Sequence, residues 1–111
     1  MKRPHRQNKG DRLIHPGASA DEIRCDHAVA PFDRVAREME RRWGIDRLPE
    51  LVSPATAQRY GAAIALLNEA LAANDPQRCA DMAANCIRGM EKMDAEARSL
   101  GHQPLPGEFW L

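Results

Sequence analysis

The sequence predicts an all-α fold of three helices, built around a long antiparallel helical hairpin and preceded by a basic, disordered N-terminal arm. Three observations carry that expectation. Cys79, Ala83, Cys86, Met90, Met93, Ala97 and Leu100 advance by alternating steps of four and three without a miss, which lays small and sulfur-bearing side chains along one helix face. Upstream, Ala57, Tyr60, Ile64, Leu67 and Leu71 repeat the pattern, the heptad spacing that packs two helices at about 20°. Asn74, Asp75 and Pro76 leave a break of only two or three residues between the two helices, and so short a link forces antiparallel neighbours.

Residues 1–28 read as the arm. Pro4, Gly10, Pro16 and Gly17 interrupt a stretch with few large apolar side chains, too little burial to offset chain entropy. In its first twelve residues Lys2, Arg3, Arg6, Lys9 and Arg12 stand against Asp11 alone, so any weak nucleic-acid binding is expected in this arm. It has no aromatic residue to stack on bases, and a solvated tail without a ligand is the plainer reading.

Residues 29–111 read as the helical domain, with helices at about 31–43, 54–74 and 76–100. Pro31 suits the first position of a helix, Asp33 adds negative charge to its first turn, and Gly44 supplies a stop. Phe32, Val35, Ala36, Met39 and Trp43 then share one face, leaving Arg34, Arg37, Glu38, Arg41 and Arg42 on the rest. The connector from Gly44 to Ser53 carries Ile45, Leu48, Leu51 and Val52, which are expected to close one end of the core around a turn of 3₁₀ helix. Ser53 followed by Pro54 is a capping start signal, as is Asp75 followed by Pro76. Gly101 ends the third helix. A Pro-rich tail follows and finishes in Phe109, Trp110 and Leu111.

A chain of 111 residues has room for one domain. Its hydrophobic fraction of 43% includes eighteen alanines and only seventeen Leu, Ile and Val residues, so the core is thin, and thin helical cores are commonly completed by self-association or a partner. Gly61, Ala62, Ala63 and Ala65 leave much of the second helix small, the place to look for a third helix or a second subunit. No apolar stretch approaches the ~20 residues of a membrane span, and three cysteines without paired spacing suit a reducing compartment. The expectation is a cytoplasmic protein that does not engage the membrane.

Chemistry has little support. His5, His15, His27 and His102 all lie outside the expected helices, and no nucleophile has a base placed by spacing; no enzyme activity and no cofactor are expected. Cys79 and Cys86 fall seven apart, about 10 Å along a helix axis, and read as core residues. Cys25 with His27 is the one pair resembling half a metal site, the basis of a zinc-stabilised adaptor as an alternative. Met39, Met82, Met90 and Met93 read as core more readily than as an adaptable surface. The candidate partner-binding residues are Arg34, Arg37, Arg41 and Arg42 on the first helix and Phe109 and Trp110 in the tail. A helix-turn-helix is rejected because the connector and the second helix are both too long.

The stretch WGIDRLPELVSPATAQRYGA, from Trp43 to Ala62, and GHQPLP, from Gly101 to Pro106, resemble small helical proteins encoded in prophage-like regions of alphaproteobacterial genomes, a family without a settled biochemical role. The resemblance implies a mobile-element setting and loop anchors and caps, not catalytic groups. Within it, a protein that binds a protein partner or self-assembles is expected, such as an anti-CRISPR inhibitor of a host defence complex. A small-terminase-like DNA-packaging factor forming an oligomeric ring is the alternative, although residues 1–28 hold no counterpart of its DNA-binding helices.

Overall fold

A computed structural model describes residues 19–106. It contains three helices, α1 (Ala20–Trp43), α2 (Pro54–Ala72) and α3 (Pro76–Ser99), with a 3₁₀ turn at Leu48–Leu51 between the first two and no strand among the described residues. The all-α class and the α2–α3 hairpin agree with the sequence pattern. The basic residues of the first twelve positions and the Phe109–Leu111 terminus lie outside the described residues.

Helix α1 corrects the sequence reading, because it starts at Ala20 and not at Pro31. Ser19 accepts a hydrogen bond from the Glu22 amide at 3.1 Å while Glu22 accepts one from the Ser19 amide at 3.1 Å. This reciprocal capping box satisfies two orphan donors about three turns before the proline. Pro31 therefore sits inside the helix, where it has no N–H to offer the His27 carbonyl. Burial on both sides holds the helix together: Cys25, Val29, Phe32, Met39 and Trp43 are all buried, and they follow one four-and-three register across Pro31. Residues 19–28, read as part of the arm, thus belong to the folded unit.

Helix α3 is the shared partner of both other helices. Its Cys79, Ala83, Cys86, Met90, Met93 and Ala97 are all buried, whereas Leu100, the last member of the expected seam, is exposed as the C-cap residue. On α2 the buried set is Thr56, Ile64, Leu67, Ala70 and Leu71, with Ala57 and Tyr60 half-buried. Gly89 makes room for the Tyr60 ring, since a β-carbon there would stand 3.1 Å from Tyr60 Cδ1. The chain is flattened, 48 × 30 × 19 Å overall, so each helix keeps an outward face.

The connections are fixed by backbone chemistry. At the end of α2, the Asp75 amide donates to Ala70 O and the Asn74 amide to Leu71 O, with Asn74 in the left-handed region at φ +52°. This Schellman closure is repeated after α3, where His102 bonds to Ala97 O and left-handed Gly101 bonds to Arg98 O. Between α1 and α2, Leu48 is buried and Leu51 and Val52 pack at the core edge, but Ile45 is 74% exposed. Its expected role in closing the core is therefore not met. It follows Gly44, whose positive φ turns the chain outward at the α1 terminus.

Candidate partner-binding face and groove

The C-terminal turns of α1 and α3 are joined through Asp94. Its Oδ1 accepts from Trp43 Nε1 at 2.9 Å and its Oδ2 from Arg98 Nε at 3.2 Å, while the Arg98 guanidinium stands 5.6 Å from the centre of the Trp43 ring. Arg42 adds its charge, 3.8 Å from Asp94 and 3.3 Å from Glu38. The Leu105 amide donates to Arg42 O at 2.6 Å, so GHQPLP returns along α1 and occupies one of its terminal carbonyls. Arg42 is consequently a half-buried cross-link between helices, which sets it apart from the exposed arginines of the same helix.

Arg34, Arg37 and Arg41 are placed differently. They step by three and four along the face of α1 opposite the buried seam, all exposed, with exposed His27 one heptad before Arg34. Arg41 reaches Glu38 at a loose 3.8 Å. Arg34 and Arg37 meet no hydrogen-bonding or ionic partner among the described residues. The face thus presents two uncommitted guanidiniums and one weakly held one.

Beside it runs an open groove of about 440 Å³ between α1 and α3. Val35 and Met39 supply its apolar floor, Arg34 and Arg42 line the α1 side, and Glu91 and Asp94 line the α3 side. A second, tighter cavity of about 70 Å³ is lined by Met39, Leu48, Tyr60, Met90 and Met93 among others. Met39, Met90 and Met93 are buried and Met82 is half-buried, so the methionines line the core and its edge and do not form a broad exposed surface.

The Cys25–His27 pair does not come together. Residues two apart on a helix diverge by about 200°, and here Cys25 is fully buried while His27 is exposed. Cys79 and Cys86 are fully buried as well. Among the described residues no three His, Cys, Asp or Glu side chains are grouped to hold a metal ion, and no helix is long and apolar enough to cross a membrane.

Three functional features escaped the sequence reading. Asp94 as a hub had no signal, because its partners come from α1 and from the next turn of α3. Glu96 accepts from the Ser53 amide at 2.5 Å and from the Thr56 hydroxyl at 2.6 Å, pinning the first turn of α2 to the end of α3; the Ser53 cap was legible, its distant carboxylate was not. The Glu96 carboxyl is held below its ordinary value of 4.5, first by the Ser53 amide and then by the Thr56 hydroxyl. The third is Asp26, buried beside the α1 seam in a stretch read as arm. No family model, curated protein or solved structure matches this chain.

Proposed function

We propose that the chain is a non-catalytic interaction protein that binds an acidic protein surface through the outer face of α1. The observation that carries this reading is the uncommitted pair Arg34 and Arg37, with Arg41 one turn on, beside the Val35–Met39 floor of the groove. Planar guanidiniums bind carboxylates bidentately, and an adjoining apolar floor adds the desolvated anchor that charge alone does not supply at an interface. A partner helix carrying carboxylates and one apolar side chain fits such a surface.

The non-catalytic part rests on placement. The thiols of Cys25, Cys79 and Cys86 are buried in the core, His27 faces outward on α1, and His102 is exposed beyond the end of α3. A host defence complex, the kind of target an anti-CRISPR protein covers, is the partner class carried by the resemblance to prophage-encoded proteins.

The test is capture from host lysate at ~150 mM salt with the full chain, a variant lacking residues 1–12, and the triple reversal Arg34→Glu, Arg37→Glu, Arg41→Glu. Capture is expected to survive the deletion and fall at least roughly tenfold on the reversal. Equal capture by the reversed variant removes this face from the function; loss on deletion alone moves the activity to the basic arm.

A further inference from the structure

The outward face of α2 has its own pattern, distinct from the seam buried on α3. Ala55, Arg59, Ala62, Leu66, Glu69 and Ala73 are all exposed and advance by four, three, four, three and four. Such spacing is a heptad seam, but nothing in the fold covers it: α1 packs on α3, leaving the small surface of α2 open among the described residues. Leu66 stands 38% exposed at its centre. Neither Arg59 nor Glu69 has a side-chain hydrogen bond or ion pair among the described residues.

The seam is also palindromic. Turned end for end about a point level with Ile64, Ala55 falls opposite Ala73, Arg59 opposite Glu69, and Ala62 opposite Leu66. Each large residue then meets a small one, and each charge meets its opposite. Antiparallel coiled coils form the same layers, because the two core positions of the heptad face each other across the pair. A parallel pairing places Arg59 against Arg59 and Glu69 against Glu69, which repels. Alanine at three of the six positions lets the helix axes approach to the near end of the 8–10 Å range.

We propose that two copies of this chain associate through α2 as an antiparallel two-fold dimer, with Ala62 and Leu66 in the central layers and reciprocal Arg59–Glu69 pairs on either side. A two-fold interface uses the same patch on both subunits, and this patch is complementary to itself in shape and charge. One helix pair is a small interface, so the dimer is reversible and concentration-dependent. The proposal goes beyond the arginine-face reading and is independent of it, since the residues lie on different helices.

Sedimentation equilibrium of the full chain over a concentration series tests it. The wild type is expected to show a monomer–dimer equilibrium. Arg59→Glu and Glu69→Arg each turn two attractions into two repulsions and are expected to raise the dissociation constant roughly tenfold or more. The double variant Arg59→Glu/Glu69→Arg swaps the charges and is expected to restore it. Both side chains are exposed and unpaired within the chain's described part, so helicity by circular dichroism is expected to stay unchanged in all three variants. A wild type that remains monomeric throughout overturns the proposal. So does a dimer indifferent to either reversal, or a double variant that fails to recover.

Discussion

The two interfaces made by α3 differ in direction, composition and the polar contact that fixes each. Against α2 it forms a hairpin closed by a three-residue link, with medium-sized aliphatic residues at Ile64, Leu67 and Leu71 and a carboxylate clamp from Glu96 to Ser53 and Thr56. Against α1 it meets the largest side chains in the core, Phe32, Met39 and Trp43, and their C-terminal turns are locked by Asp94. One contact is local in sequence; the other joins segments some fifty residues apart, Trp43 to Asp94 being separated by 51. Local pairing is entropically inexpensive to close, so the hairpin tolerates a seam rich in alanine and cysteine. The α1 contact closes a longer loop and is built from bulkier side chains.

If α3 joins these two interfaces, a charge in its seam must break both. Met90 is 3% exposed. Met90→Asp buries a carboxylate with no arranged partner and is expected to cost about 4 kcal/mol or more, enough to abolish a cooperative melt in a domain this thin. Met90→Leu conserves volume and is expected to cost less than about 1.5 kcal/mol. Thermal melts by circular dichroism read both. A Met90→Asp variant that melts like its parent contradicts the placement of this side chain between the helices.

The same contrast explains what was legible beforehand. The hairpin could be read because every signal was local: unbroken heptads, a Ser53–Pro54 start, an Asp75–Pro76 start and a link too short for any other geometry. Helix α1 was read only in its second half. Pro31 with Asp33 two residues on is a valid start signal, and the Ser19–Glu22 capping box went unread because Cys25, Val29 and Phe32 declare themselves as a seam only once a helix is allowed to run through a proline. Of the site, the exposed arginines were legible as a helix face, but Arg42 was grouped with them because its partner on α3 lies 52 residues away, at Asp94. Distant carboxylates leave no mark in a local pattern, and this is why Asp94 and Glu96 both went unnoticed.

A smaller effect sharpens the α1 half of the comparison. Proline in a helix interior is about 3 kcal/mol less favourable than alanine, and Pro31 is exposed, so its ring has little packing to lose. Pro31→Ala is expected to raise stability by about 1–3 kcal/mol and to increase amide protection across residues 20–31 in hydrogen exchange. A helix that began at Pro31 gives the opposite sign, because alanine there gives up a favourable first position. A destabilised Pro31→Ala variant therefore contradicts a continuous α1.

The smallest effect concerns the clamp that ties α2 to α3, and pH is the means of reading it. The Glu96 carboxyl is held below its ordinary value of 4.5 in the fold, chiefly by the Ser53 amide and the Thr56 hydroxyl, which bind the ionised form. A depressed folded value means that the contribution is complete above the unfolded value and is lost as pH falls through the folded one. Glu96→Gln keeps an acceptor but not the charge, so it is expected to be less stable than the wild type at pH 7. The gap between their melting temperatures is expected to close as the pH is lowered below about 4.5, because the wild type becomes neutral at this site while the variant does not change. A gap of constant size from pH 7 to pH 3 means that the charge contributes nothing, leaving the α2 terminus held by its own Ser53 cap and by packing on α3.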